Sequence, residues 1–391
     1  MNTIQVLNVH GIDFLTNNNI DVKYILDKSV YILNYQQIET NKDSPYKKHH
    51  PVIRECRNLI VRKLPDNTWC IMSKSFERFF NYLEHKEETE IFIKAMENKE
   101  VIAKEKLDGS LIQVTYFDDK WHIFTRGSDA DENLFRGLEI PTSLNETFGD
   151  RVRKYIVDFN LLNKDLIYIF ELCTPLLHVT NYEKEKLALL AILDRKENYK
   201  ELDHYIQVSI AKVYNWHVPE VFYPSSIEQV YYEISKKPKD FEGYVLCYNT
   251  LRMKVKSESY ITLHHLGKTS STNCNTLESL IKICVEGEID ETCSVLKKYT
   301  EQLKQIQTEL YKQYDIIEKF YEENKNLSSK DYGLKVQELN SKFAWILFNL
   351  KNNKFSSKNI RCLWLNTPKE KGSIISKITT SMKRHLETVL N

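Results

Sequence analysis

The chain has 391 residues, 42% of them apolar, with 55 basic and 54 acidic side chains that leave a formal charge of +1. That length suits two domains better than one core, and the balanced charge excludes a polybasic, histone-like protein. Global disorder, which needs low hydrophobicity with high net charge, is excluded too, and 10 glycines and 9 prolines rule out collagen-like or linker-like composition.

No run approaches eighteen apolar residues, so no membrane-spanning segment is expected. The start, Met1-Asn2-Thr3-Ile4-Gln5, lacks the basic and apolar regions of a secretory leader. The cysteines, Cys56, Cys70, Cys173, Cys247, Cys274, Cys284, Cys293 and Cys362, form no C-x-x-C pair. They read as reduced, mostly buried thiols of a cytoplasmic protein, its own cell's or an infected host's, and not as a zinc site.

Up to about residue 265, short β-branched or aromatic runs alternate with turn signals. Leu59-Ile60-Val61, Leu111 to Phe117, Trp121 to Phe124, Leu166 to Phe170 and Tyr244 to Tyr248 read as strands, and Glu88 to Glu97 as a helix. The expected class is α+β with prominent antiparallel hairpins.

From about Gly267 the texture changes. Leu296, Tyr299, Leu303, Ile306, Leu310, Ile317 and Tyr321 predict an amphipathic helix of roughly thirty residues. Val336, Leu339, Phe343, Ile346, Leu347 and Leu350 predict a second helix. Ile374, Ile375, Ile378, Met382, Leu386 and Val389 predict a third. The expected domains are therefore 1–266, sheet-rich, and 267–391, all-helical. After Leu350 there is an excess of seven positive charges, which suits either a polyphosphate or a solvated helix face.

The sharpest local string is Lys106-Leu107-Asp108-Gly109-Ser110, just before a strand. Asp-Gly between strands is also an ordinary hairpin turn. The chemical reading is a lysine nucleophile, which needs its free amine, nearby cations and carboxylates for a metal. Such groups stand beside strand-like runs: Glu171 after Phe170, Glu242-Gly243 before Tyr244, and Lys254 and Lys256, which alternate onto one strand face. Upstream lie Arg54-Glu55-Cys56-Arg57-Asn58 and Phe76-Glu77-Arg78-Phe79-Phe80-Asn81. Phe79 and Phe80 read as core rather than as a base-stacking platform, and Trp345 and Trp364 likewise. No G-x-x-x-x-G-K-[ST] loop is present, against a P-loop kinase.

In this order, Lys-x-Asp-Gly, Phe-Glu, Glu-Gly-Tyr-Val and Lys-Val-Lys resemble the covalent nucleotidyltransferases, the ligases and capping enzymes. With Glu55-Cys56-Arg57, Phe76 to Asn81 and Thr125-Arg126-Gly127-Ser128, the chain is similar to the RNA ligase 1 family typified by the bacteriophage T4 enzyme, over roughly residues 35 to 265. The resemblance implies an ATP-grasp-like adenylyltransferase domain followed by a helical domain that recognises broken RNA, in some relatives a cleaved tRNA. It implies an ATP-dependent RNA ligase, here expected as a monomer. Lys106 would attack the α-phosphorus of ATP to form lysyl-AMP, which passes to an RNA 5′-phosphate before a 3′-hydroxyl seals the break. Glu171 and Glu242 would hold Mg2+ or Mn2+, Glu171 also meeting the ribose. Lys254 and Lys256 would neutralise the α-phosphate. Tyr35, Arg57, Arg78 and Arg126 would contact nucleotide or triphosphate, Asp108 would join them in binding the cofactor, and the Glu105 backbone would meet the adenine edge.

Three positions depart from the family pattern: Asn58 replaces glycine after Arg57, and Arg78 and Arg126 stand where lysine is common. Arginine keeps the charge but binds phosphate as a fork. Two alternatives stay open: a capping guanylyltransferase or DNA ligase of the same superfamily, and a non-catalytic RNA-binding relative. The helical texture of the C-terminal third counts against the first, whose members usually carry a β-rich OB-fold there. The intact set of lysines and acids counts against the second.

Overall fold

The structure is a computed structural model that describes all residues except 26–29, 38, 40, 42, 136–145, 176–179, 266–276, 356–359, 362–370 and 390–391. The expected domain boundary at 266, together with Cys274, Cys362, Trp364, Lys358 and Lys369, lies outside the described residues. The chain divides into two compact units: Met1–Gln36 with Asp43–Tyr260, and Ile261–Asn391 with Gln37–Lys42. The architecture is α+β, sheets in the first unit and helices in the second.

The strands are β1 Ile20–Ile25, β2 Val30–Tyr35, β3 Arg57–Lys63, β4 Trp69–Ser73, β5 Phe80–Asn81, β6 Ile102–Glu105, β7 Ser110–Phe117, β8 Lys120–Thr125, β9 Ser128–Asp129, β10 Leu166–Cys173, β11 Lys186–Asp194, β12 Lys200–Glu201, β13 Val221–Phe222, β14 Gly243–Tyr248 and β15 Leu251–Lys256. They form a sheet ordered β1-β2-β3-β4, a second ordered β12-β11-β10-β7-β8-β9 and a third ordered β13-β6-β14-β15-β5. Every pairing is antiparallel except β15 with β5. The expected strands at Leu59, Leu111, Trp121, Leu166 and Tyr244 are all present.

The central strands are buried on both faces: on β10, Tyr168 and Phe170 enter one cluster and Ile167 and Ile169 another. Leu33, Leu59 and Val61 pack with Val6, Leu7 and Leu15 from the N-terminal helices α1 Thr3–His10 and α2 Ile12–Thr16. Ile112, Val114, Tyr168 and Phe170 close on Val152 and Trp216. Ala103, Leu246 and Val255 pack against Phe92 and Val230. The helices of this region are α3 Pro51–Glu55, α4 Lys86–Glu97, α5 Phe148–Arg153, α6 His204–Val213 and α7 Ile227–Ser235; α8 Glu258–His265 follows β15.

One arrangement decides the meaning of the Lys106 string. β6 and β7, which flank it, belong to different sheets. Lys106 to Gly109 is therefore a crossing between two sheets and not a hairpin turn.

The second unit holds α9 Leu277–Glu286, α10 Ile289–Val295, α11 Thr300–Asn324, α12 Ser329–Leu339, α13 Ala344–Lys351 and α14 Lys371–Val389. The expected thirty-residue helix is α11 with 25 residues, burying Leu303, Ile306, Leu310 and Ile317. Leu296 leaves helical geometry (φ −97°, ψ 68°), and Lys297–Tyr299 forms a 3-10 turn before α11 begins. The expected second helix is two, because Asn340 caps α12 in the left-handed region at φ 47°. The apolar spacing continues across the break, so periodicity alone hid it. Trp345 is half-buried, its indole N–H donating to Ser381 Oγ at 3.1 Å. Part of the basic C-terminal charge turns inward: Arg361 is buried against Asp315, and Lys351 Nζ donates to the carbonyls of Lys325 and Leu327.

Candidate active site

β6 ends at Glu105, whose N–H donates to the Glu220 carbonyl at 2.7 Å, and the Lys106 N–H donates to the Gly243 carbonyl at 2.9 Å. The chain then crosses sheets at Gly109. A Cβ there would lie 2.6 Å from Glu171 Cγ and 2.7 Å from the Leu172 carbonyl oxygen, so only glycine lets this loop rest on β10. Asp108 fastens the crossing: its carboxylate accepts from the Thr180 N–H at 3.0 Å, and its own N–H donates to the Tyr182 hydroxyl at 2.9 Å.

Glu242, only 4% exposed, receives two ammonium groups on one oxygen. Lys106 Nζ is 2.7 Å and Lys256 Nζ 2.9 Å from Glu242 Oε1. The register that brings them together pairs Gly243 with Lys256 and Val245 with Lys254. Gly243 has φ +139°, and a Cβ on it would meet the Val255 carbonyl oxygen at 2.1 Å. No other residue allows this approach of β14 to β15.

Glu171 follows Phe170 on β10, opposite Leu111 of β7. Burial pushes its carboxyl up to about 8, further helped by the charges of Glu242 and Asp108, while Lys106 and Arg57 pull the other way. A cation beside these acids would relieve that cost. Among the described residues no three His, Cys, Asp or Glu side chains form a metal-binding group. The set nonetheless fits magnesium, which binds through one or two carboxylates plus substrate phosphates and waters rather than in an all-protein cage.

A second cluster gathers around Tyr35. Burial raises its phenol, but Arg126, Arg57, Arg78 and Lys254 together outweigh burial and bring it down to about 8. Arg78 Cζ lies 4.2 Å and Arg126 Cζ 4.9 Å from the Tyr35 ring centroid. Arg57 is drawn down to about 10, chiefly by burial and then by Arg126. Its Nη1 is a buried donor with no hydrogen-bond partner among the described residues. Four cations and an orphaned donor make a site that favours an anion.

Arg57, Glu105, Lys106, Arg126 and Glu171 line one cavity of about 490 Å³. Glu242 and Lys256 connect to it through Lys106, and Tyr35 and Arg78 through the arginine cluster. Lys254 Nζ lies 5.6 Å from the ring centroid of Phe79, which itself lines the cavity. The expectation that both phenylalanines are core is thus corrected for Phe79 and holds for Phe80, 2% exposed.

Lys104 and Arg252 stand outside the set of site residues expected from the sequence. Both line the cavity and both pair with Glu201, Lys104 Nζ at 3.5 Å from Glu201 Oε1. The signal was available: Arg252 shares the alternation of Lys254 and Lys256, and Lys104 that of Lys106.

The family model described as RNA ligase, of the T4 type 1 group, matches residues 55–260, more than half the chain. A protein of Autographa californica nuclear polyhedrosis virus, assigned as a bifunctional polynucleotide kinase/RNA ligase, is 24% identical over 301 residues, 72% of this chain and 40% of that protein. One from Thermovibrio ammonificans, assigned as an RNA ligase, is 29% identical over 154 residues, 39% of this chain and 37% of that protein. The chain thus covers less than half the length of both relatives. Among solved structures, an archaeal ATP-dependent RNA ligase is 12% identical, with 76% of this chain and 74% of that one covered and a TM-score of 0.42. No helix among the described residues is long and apolar enough to cross a membrane.

Proposed function

Since the chain belongs to the T4-type RNA ligase family, we propose that it is an ATP-dependent RNA ligase working through a lysyl-AMP intermediate. The observation that carries this reading is the shared contact of Lys106 and Lys256 with the Glu242 oxygen, beside a cavity lined by Glu171 and Arg57.

The amine of Lys106 must shed a proton to become a nucleophile, and Glu242 Oε1 at 2.7 Å is within reach to take it. The Nζ–P bond forms at the α-phosphorus as the bridging P–O bond to the β-phosphate breaks, and pyrophosphate leaves. Lys254 and Lys256 neutralise charge on the α-phosphate. Arg57, Arg78 and Arg126, grouped around Tyr35, take the β- and γ-phosphates. Glu171 and Glu242 would hold a magnesium ion, with manganese as a substitute, and that ion would supply charge neutralisation at the phosphates. The Glu105 backbone at the cavity wall serves the adenine edge, and Asp108 holds the lysine loop in place. An RNA 5′-phosphate oxygen next attacks the α-phosphorus and frees Lys106. A 3′-hydroxyl then attacks the 5′-phosphorus and releases AMP.

We assign residues 1–266 to adenylyl transfer and residues 267–391 to recognition of broken RNA, as in tRNA repair. The six described cysteines are free thiols, which suits a reducing cytoplasm.

Incubation with α-labelled ATP and Mg2+ should leave label on the protein. Lys106→Ala should lower this by at least about a thousandfold. Labelling that persists in the variant removes Lys106 from its role, and labelling by GTP alone turns the reading toward a capping enzyme.

A further inference from the structure

The departure at Asn58 has a structural counterpart. β2 and β3 pair Leu33 with Leu59 but Asn34 with Arg57, so Asn58 is the extra residue of a β-bulge. Its φ is 56°, in the left-handed region that glycine usually fills at such bulges and that asparagine tolerates best among the rest. A bulge re-aims the adjoining side chain. Here the adjoining side chain is that of Arg57, a residue that lines the cavity.

Glycine would satisfy that backbone alone. Asparagine adds a chain of polar contacts. The Asn58 N–H donates to Asn34 Oδ1 at 2.9 Å, and Asn34 Nδ2 donates to the Arg126 carbonyl at 2.8 Å. Asn58 Nδ2 donates to Gln113 Oε1 at 2.7 Å, and Gln113 Nε2 donates to Ser73 Oγ. Asn58, Gln113 and Ser73 are fully buried. The chain thereby links β2, β3, the end of β4, β7 and the turn after β8. It ties the backbone N–H just after Arg57 to the carbonyl of Arg126, yet none of its four members lines the cavity. Asn58 Oδ1 is buried with no partner among the described residues, but the bonds made by its N–H and Nδ2 tie the amide to two neighbouring strands, and such bonds in a low dielectric hold one geometry.

We infer that Asn34, Asn58 and Gln113 are positioning residues that aim Arg57 and Arg126 at the departing pyrophosphate, so that they act on enzyme adenylation and not on strand sealing. This rests on the triphosphate reading above. Once pyrophosphate has left, the contacts those arginines make with it no longer exist, and a loss of aim is felt only in the first step.

Two variants test it. Asn58→Gly keeps the left-handed backbone and deletes the side chain; Asn34→Ala deletes the other arm from a strand that retains its ladder. Each is assayed for KM of ATP and rate of adenylate formation, and separately for sealing of a pre-adenylated RNA strand without ATP. The expected result is a roughly 10- to 100-fold loss in kcat/KM for adenylation, with sealing unchanged within about twofold. Equal losses in both steps, or no loss in either, would overturn it, and Asn34→Ala alone decides if Asn58→Gly fails to fold. Wild-type protein that neither labels with ATP nor seals the pre-adenylated strand would instead sink the ligase reading itself.

Discussion

A methyl group added at Gly243 would lie 2.1 Å from the Val255 carbonyl oxygen, and one at Gly109 2.6 Å from Glu171 Cγ. In the helical unit, one added at Gly333 or Gly372 would meet nothing within 4 Å, as is also true of Gly11 and Gly127 in the sheet-rich unit, so the tight contacts belong to the site's own strands and not to the whole unit. Buried charge differs between the units more plainly. The sheet-rich unit buries Arg78, Lys104 and Glu242, whereas Arg361 is the one buried charged residue among the described residues of the helical unit. An apolar stripe suffices to hold helices together, and it tolerates spare space at the surface. A site that assembles several like charges needs backbones in contact and admits no substitute where they touch.

The contrast can be broken first at Gly243. Gly243→Ala should cost about 3 kcal/mol or more in denaturant unfolding, because strain at φ +139° adds to a clash with β15. It should also abolish adenylate labelling. A variant that unfolds like wild type would show that the close approach of β14 to β15 does not constrain the fold.

In the helical unit, Asp315→Ala leaves the buried Arg361 guanidinium without its carboxylate. We expect a loss of about 2 kcal/mol in stability with adenylate labelling intact. Loss of labelling would mean that this charge serves more than the helices.

The pH responses sharpen the comparison, since both arise in the sheet-rich unit. Glu171 is raised from its ordinary 4.5 to about 8, so the folded state binds more protons than the unfolded one between those values. Its contribution to stability is therefore greatest below about 4.5 and falls as pH climbs through about 8. Glu171→Gln should remove that part of the slope in a series of Tm measurements. Tyr35 moves the opposite way. Of 23 tyrosines, one should ionise near pH 8 in ultraviolet absorbance, and Tyr35→Phe should erase that step. A titration in which no tyrosine ionises below about pH 9 would refute the cation cluster.

The smallest effect is expected at Gly333, inside α12 with open space around it. Gly333→Ala should raise stability by about 0.5–1 kcal/mol by restricting the unfolded chain. A loss would mean that the glycine is constrained after all.

Spacing and composition made much of this legible. Short β-branched or aromatic runs identified β3, β7, β8, β10 and β14 but not β1, β2, β4 or the nine-residue β11, and apolar residues at three- and four-residue steps marked the helical unit. Short strands such as β5, β9, β12 and β13 carry too few residues for a period to register. The break at Asn340 escaped for the opposite reason: the apolar stripe runs through it, and only the left-handed backbone interrupts the helix. Phe79 departs from the expectation because burial tendency says nothing about whether a ring faces a core or a cavity.

Local pattern was enough for the element types it marked and for the chemistry in reserve: a lysine before Asp-Gly, Glu242 just before a strand and Glu171 near the end of one, and lysines alternating on one strand. Those follow from local backbone geometry, in which neighbours along the chain decide the outcome. Only the tertiary structure decided that Lys106 and Lys256 share one glutamate oxygen, that Lys106 to Gly109 crosses between sheets, and that residues 35, 57, 78, 126 and 254 converge. Register between distant strands sets those meetings, and burial sets the proton affinities of Glu171 and Tyr35. Both depend on packing between segments far apart in the chain, which no local spacing encodes.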